Sequence, residues 1–134
     1  MITHRLSVRF RDIDALNHVN NSVYLTYLEE ARFTFLSHYA IDIFANPDCG
    51  VILAKCEINF RHPAKLGDTL DIEVEVGEIR RSSFDFMYNI TRVYDRKLIA
   101  DATTTQVCYN YSLNTPVRVP EHWRVTFNKN QPKI

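Results

Sequence analysis

The 134-residue sequence has little glycine, proline or cysteine and no net charge. Only 3 Gly and 5 Pro argue against a disordered or linker-rich chain. The three cysteines, Cys49, Cys56 and Cys108, are odd in number and lack Cys-x-x-Cys spacing, so neither a disulfide framework nor a zinc site is indicated. We therefore expect free thiols and a fold that is stabilised by its hydrophobic core.

The balance of charge also excludes several classes of protein. Lys plus Arg and Asp plus Glu both total 16, whereas a nucleic-acid-binding protein usually has a basic excess. No apolar run approaches the roughly 20 residues that cross a bilayer, and the N-terminus lacks the apolar segment of a signal peptide. We expect one cytoplasmic domain over residues 1–134, without a membrane span and without a nucleic-acid partner.

The first part of the chain predicts a strand followed by a long helix. Leu6, Val8 and Phe10 alternate with polar residues, which predicts a strand over 5–11. A helix is predicted from Ser22 to Tyr39, with Asn20 or Asn21 as its cap. Apolar side chains recur there at spacings of three and four. They are Tyr24, Tyr27, Leu28, Ala31, Phe35 and Tyr39.

The rest of the chain predicts β-structure. Strands are expected over 51–60, 69–76, 83–94 and 97–111, with a short edge strand within 116–127. Short turns between consecutive strands indicate antiparallel neighbours. One long helix on one face of such a sheet is an α+β fold. A single helix covers one face only, so the other face or an edge is available to a second subunit.

The chemically informative segment is DIDALNHVNNSVY, residues 12–24. It places two carboxylates, one imidazole and three amides just before the predicted helix. The first N–H groups of a helix lack backbone partners and can hold the oxygen of a polarised carbonyl. A nearby carboxylate can attack that carbonyl or activate water. The alternative is that these residues only form turns and caps and that His18 is structural.

The spacing Asp12-x-Asp14-x-x-x-His18-Val19-Asn20-Asn21-x-x-Tyr24, followed by YLEEAR, resembles hotdog-fold acyl-CoA thioesterases of the 4-hydroxybenzoyl-CoA thioesterase type. It is most similar to the branch that acts on fatty acyl-CoA, and plant acyl-carrier-protein thioesterases share a similar HVNN element. The resemblance covers nearly the whole chain and implies a hotdog fold that hydrolyses acyl-CoA to free acid and CoA. The tract at 16–19 differs from that of the 4-hydroxybenzoyl enzymes, which argues against an aromatic acyl group.

The resemblance also implies roles for single residues. Asp14 matches the catalytic carboxylate, either nucleophile or general base, and Asn21 matches the position whose backbone N–H polarises the thioester carbonyl. His18 is expected to position these groups, and Tyr24 to pack along the acyl channel. Asp12 is expected to support the turn rather than to react.

Substrate binding is implied for a second segment, which contains Arg80, Arg81 and Ser83. Relatives bind the CoA nucleotide beside such a basic stretch, because guanidinium groups match phosphate geometry; the alternative is a solvated turn. Arg61 and His62 are further candidates for this task. The resemblance implies no metal or cofactor, and a homodimer or homotetramer with sites between subunits. A non-catalytic acyl-CoA-binding protein and an acyl-carrier-protein thioesterase are the alternative functions.

Overall fold

The computed structural model describes residues 1–132, which form six strands, two α-helices and a short 3-10 turn at Phe10–Asp12. The strands are β1 (Ile2–Ser7), β2 (Gly50–Phe60), β3 (Thr69–Ile79), β4 (Ser83–Arg92), β5 (Leu98–Asn110) and β6 (Thr115–Pro116). The helices are α1 (Val23–His38) and α2 (Glu121–Lys129). The predicted long helix and the four strands that follow it are confirmed to within a few residues at each end.

The sheet has the strand order β1-β3-β4-β5-β2, and each pair of neighbours is antiparallel. The expectation that β2 and β3 are neighbours was therefore wrong, because β2 pairs with β5 at the opposite edge. The connecting segment 61–68 contacts the end of β1 instead of forming a hairpin: the Val8 N–H donates to the Asp68 carbonyl at 2.8 Å. Gly67 has a φ of 86°, a left-handed conformation that glycine adopts without strain.

Helix α1 lies on one face of the sheet, which confirms the α+β class. The predicted apolar face is the buried one, although Tyr39 at its end is only half-buried. The Phe35 ring of α1 packs on Phe86 of β4, with ring centroids 4.9 Å apart, and on Phe127 of α2 at 6.3 Å. Both helices therefore share one core with the inner face of the sheet.

Two predictions at the ends of the chain were wrong. The expected edge strand within 116–127 is reduced to β6, and α2 follows because Trp123 and Phe127, one helical turn apart, are both buried. Pro120 precedes this helix, where a missing N–H costs nothing. At the N-terminus, β1 begins and ends earlier than predicted, and Phe10 is 78% exposed in the 3-10 turn.

The edge strand β2 carries an apolar row that α1 leaves partly uncovered. Residues of β2 that pair with the buried inner positions of β5 point to the same face of the sheet. Leu53 pairs with Gln106 and Phe60 pairs with Ala100, yet Leu53 is 45% and Phe60 is 49% exposed. This part of the inner face therefore borders a groove beside α1.

Candidate active site

The loop before α1 is a tight hairpin. Ile13 and Val19 form an isolated antiparallel bridge, and the Asp14 N–H donates to the His18 carbonyl at 2.8 Å. Asn17 makes the reversal with a φ of 60°, a left-handed conformation that Asn adopts more readily than most residues. The turn between Ile13 and Val19 therefore holds Asp14 and His18 next to each other.

The Asp14 carboxylate is exposed and uses only one of its oxygens locally. Its Oδ1 accepts the backbone N–H groups of Leu16 at 2.9 Å and His18 at 3.3 Å. Within residues 1–132, Oδ2 has no hydrogen-bond donor. One oxygen thus orients the carboxylate while the other is free for chemistry.

The start of α1 presents an unpaired N–H group. The Asn20 Oδ1 accepts both the N–H and the hydroxyl of Ser22 at 3.0 Å, and the Asn20 carbonyl accepts the Val23 N–H at 2.9 Å. The prediction that Asn20 or Asn21 caps α1 by its side chain was wrong, because the cap position is Ser22 and no side chain bonds the N–H groups of the first turn there. The Asn21 N–H has no acceptor in the described part of the chain, and it lies at the positive end of the helix dipole.

One cavity of about 240 Å³ brings four of the seven predicted site residues together. Its lining consists of Asp14, His18, Val19, Asn21, Tyr24, Phe60, Arg61, His62 and Pro63. Burial raises the pKa of Tyr24 to about 12, so its phenol is neutral near pH 7. The Tyr24 ring packs edge-on against Phe60 with ring centroids 5.3 Å apart, so the two rings form part of the cavity wall.

The end of β2 supplies residues that the sequence analysis did not assign to this cavity. The sequence predicts Arg61 and His62 only as phosphate contacts, and it gives no signal for Phe60. The His62 Nδ1 lies 3.0 Å from the Leu98 carbonyl, which can only accept, so Nδ1 carries the proton in the neutral ring. Arg61 is held by Asp101 at 2.7 Å. These residues reach the cavity through the pairing of β2 with β5. No local sequence motif therefore marks them as part of the site.

Asp12 is not among the residues that line this cavity. It is 3% exposed, and its Oδ2 accepts the Tyr27 hydroxyl at 2.7 Å and the Arg9 N–H at 3.0 Å. Burial works against ionisation, but these hydrogen bonds and the Arg9 guanidinium lower the pKa of Asp12 overall. The Asp12 carbonyl also accepts the Asn20 N–H at 2.9 Å, so this buried carboxylate joins the loop to α1.

The second predicted segment, which contains Arg80, Arg81 and Ser83, does not line this cavity in the single chain. Two nitrogens of Arg80 contact the two carboxylate oxygens of Asp85 at 3.0 and 2.9 Å, and Ser83 Oγ accepts from Arg80 at 3.2 Å. Burial opposes the charge on Asp85, but hydrogen bonds from Arg80 and Thr105 lower its pKa. Arg81 is exposed, and its side chain has no ion pair among residues 1–132.

No helix within residues 1–132 is long and apolar enough to cross a membrane. In the same range, no three His, Cys, Asp or Glu side chains are arranged to hold a metal ion. The cysteines Cys49, Cys56 and Cys108 are free thiols. The expected absence of a cofactor and the cytoplasmic location stay predictions.

A long helix on an antiparallel sheet, with a carboxylate and an unpaired N–H at the helix start, is the arrangement that the sequence resemblance predicts for a hotdog-fold thioesterase. The sequence profile of the thioesterase-like superfamily matches residues 8–127. The chain therefore belongs to the thioesterase-like superfamily, and it is a thioester hydrolase.

Individual relatives agree with this assignment. A 1,4-dihydroxy-2-naphthoyl-CoA hydrolase from Acaryochloris marina is 34% identical over 78% of this chain and 79% of its own length. The long-chain acyl-CoA thioesterase FadM from Escherichia coli is 31% identical over 78% of this chain and 80% of its own. A 1,4-dihydroxy-2-naphthoyl-CoA thioesterase structure from Synechocystis has a TM-score of 0.88 at 23% identity, with 94% of each chain covered. The predicted hotdog fold is thereby confirmed.

Proposed function

We propose that this enzyme hydrolyses acyl-CoA thioesters to a free acid and CoA, with Asp14 and the Asn21 backbone as the reacting site. The observation that carries the proposal is one cavity lined by both Asp14, whose Oδ2 is unbonded in the described chain, and Asn21, whose N–H is unpaired there. The names of both sequence relatives described above, which specify CoA thioesters, support CoA as the leaving group.

The chemistry follows from these two groups. The thioester oxygen accepts the Asn21 N–H, which stabilises the negative charge that develops on it. Asp14 Oδ2 either attacks the carbonyl carbon, giving an anhydride that water hydrolyses, or removes a proton from the attacking water. In both cases the C–S bond breaks, the CoA thiolate takes up a proton, and water supplies the oxygen of the acid. The N–H groups of Leu16 and His18 hold the carboxylate by Oδ1.

For the acyl group, we propose a fatty acyl chain that lies in the groove between α1 and β2. The exposed apolar side chains of Leu25 and Phe33 on α1, and of Leu53 and Phe60 on β2, support this placement. The direct experiment follows thiol release across fatty acyl-CoA, aromatic acyl-CoA and acyl-carrier-protein thioesters. Tight binding without thiol release would indicate a binding protein, and release from the carrier protein alone would indicate that class of thioesterase.

We also propose that the chain forms a homodimer through the edge of β2. Lys55 and Glu57 lie symmetrically about Cys56 and point to the outer face of the sheet, where they now pair with each other at 3.1 Å. Antiparallel pairing of two β2 strands about a two-fold axis at Cys56 places Lys55 of each chain opposite the partner's Glu57. Such opposite charges stabilise cross-strand pairs.

A charge swap tests this register. Lys55→Glu places two Glu side chains opposite each other at two symmetry-related points, so the dimer dissociation constant should rise about tenfold. The double variant Lys55→Glu with Glu57→Lys restores opposite charges and should restore the constant. Sedimentation of serial dilutions measures both. A wild-type monomer at all concentrations, or a double variant as weak as the single one, would contradict this interface.

In this dimer the predicted CoA-binding segment lies near the cavity of the other chain. Counted across the β2 bulge at Ala54, Phe60 of one chain faces the partner's Val51, which is level with Cys108 and, through it, with Ser82. The partner's turn at Arg80 and Arg81 is then three strand spacings away, about 14 Å. We propose that this turn binds the CoA phosphates in trans, with Arg81 as the main contact because Arg80 is engaged by Asp85.

Accordingly, Arg81→Ala should raise KM for acyl-CoA several-fold while kcat stays within about twofold, since a phosphate contact remote from the thioester contributes equally to ground and transition states. Lys129→Ala, another surface cation, is the control. Steady-state kinetics with acyl-CoA and with a short acyl thioester that lacks the nucleotide measure the effect. An equal change for both substrates would show that Arg81 does not bind phosphate.

A further inference from the structure

A second cavity of about 230 Å³ lies beside α1 and the first half of β2. Its lining consists of Glu29, Arg32, Phe33, Leu36, Ile43, Phe44, Val51, Leu53, Phe84, Phe86 and Gln106. The walls are mostly aliphatic and aromatic, and Phe33 and Phe44 stack with centroids 5.9 Å apart. Such a lining, with few polar groups, is typical of a pocket for a small apolar group.

Gln106 is the buried polar residue of this cavity. Its side chain is on the inner face of β5 and the residue is 2% exposed. The Nε2 amide donates to the Phe84 carbonyl at 3.1 Å, which orients the amide group. Oε1 has no hydrogen-bond partner among the described residues. By contrast, the neighbouring inner-face residue Thr104 is paired with the Tyr88 hydroxyl at 2.6 Å.

An unpaired buried acceptor is unfavourable, so a protein that retains one usually offers it to a ligand or to water. An ordered water needs two to four polar partners. Apart from Gln106, the polar lining is Glu29 and Arg32 on α1, and Arg32 already donates to Tyr88 at 3.3 Å. A hydroxyl group on an otherwise apolar ligand needs only one acceptor, which Gln106 Oε1 can supply. The apolar remainder of such a ligand fits the aliphatic and aromatic walls.

We propose that this cavity receives the distal end of the acyl group, and that Gln106 Oε1 accepts a hydrogen bond from a hydroxyl there. The enzyme then favours hydroxylated acyl-CoA substrates, an inference that rests on the acyl-CoA hydrolysis proposed above. The hydroxyl can belong to an alkyl chain or to a phenolic ring, since both present the same donor in an apolar setting.

The second cavity is within reach of a thioester held at Asp14. Both cavities border α1 and β2: Tyr24 and Phe60 line the first, and Arg32 and Leu53 line the second. Tyr24 and Arg32 are separated along α1 by about 12 Å, a distance that an extended acyl chain spans within one subunit. In the proposed dimer, the second cavity also lies beside the partner's Phe60, which gives a shorter route for a ring.

Two matched substrate pairs test the inference on the wild-type enzyme. They are ω-hydroxyhexadecanoyl-CoA with hexadecanoyl-CoA, and para-hydroxybenzoyl-CoA with benzoyl-CoA. We expect kcat/KM to favour the hydroxylated member of at least one pair by about ten- to a hundredfold, and the pair that shows the preference identifies chain or ring. Without an acceptor, an apolar cavity would disfavour the hydroxyl, so the opposite sign is expected if the inference is wrong.

The variant Gln106→Met keeps the length of the side chain but removes the acceptor. It should abolish the preference, so that the ratio of kcat/KM for hydroxylated over unhydroxylated substrate falls to one or below, with thermal unfolding as the control for folding. Ratios at or below one for both wild-type pairs, with the unhydroxylated substrates still hydrolysed, would overturn the inference and leave the proposed function intact. Absence of hydrolysis for all four substrates would overturn both. If Gln106→Met does not fold, the wild-type ratios alone decide.

Discussion

Replacing Asp14 by Asn is expected to lower kcat for acyl-CoA by about 10²–10⁴, the range for a positioned acid–base group. The amide keeps an oxygen for the N–H groups of Leu16 and His18, so the loop should keep its conformation. It cannot attack the thioester as an anion or remove a proton from water. Thiol release measured at saturating substrate reports the loss.

The matched control for this substitution is Asp42→Asn. Asp42 is also exposed, and its Oδ1 likewise accepts the N–H two residues on, from Phe44 at 2.9 Å, but it is not among the residues that line the Asp14 cavity. Asp42→Asn should leave kcat unchanged. If Asp14→Asn lost less than a few-fold while folded, the reacting carboxylate would have to be another residue.

Asn21→Pro is expected to give the second large effect, a decrease in kcat of about 10²–10³, as found when one donor to an oxyanion is removed. Proline lacks the N–H and is tolerated at the start of a helix. Asn21→Ala keeps the N–H and is the control, for which kcat should change little. Circular dichroism and the Tm of both variants establish that α1 is intact. Full activity in a folded Asn21→Pro enzyme would show that this N–H does not bind the carbonyl oxygen.

The helix and its start could be predicted because their signals are local. The recurrence of Tyr24, Tyr27 and Leu28 marks the buried face, and the amides before Val23 mark the beginning of α1. The strand order could not be predicted in this way, because it depends on contacts between segments that are distant in sequence. The turn-like segment 61–68 resembles a hairpin connection in sequence, but its contacts with β1 carry the chain to the other edge of the sheet.

The same distinction holds for the candidate site. Asp14, His18, Asn21 and Tyr24 lie within one short motif, so their proximity follows from a hairpin and one helical turn. His62 reaches the cavity only through the pairing of β2 with β5, which periodicity does not reveal. The pairing of Arg80 with Asp85 also depends on how β3 and β4 meet, and it redirects the phosphate proposal to Arg81.

The central claim is that a thioester oxygen binds the Asn21 N–H beside the Asp14 carboxylate. A crystal structure with a non-hydrolysable acyl-CoA analogue tests it most directly, because it locates the carbonyl group. The account predicts the carbonyl oxygen at about 3 Å from the Asn21 nitrogen, with Asp14 Oδ2 facing the carbonyl carbon or a water beside it. A carbonyl bound elsewhere, with Asn21 and Asp14 both out of contact with it, would contradict the account.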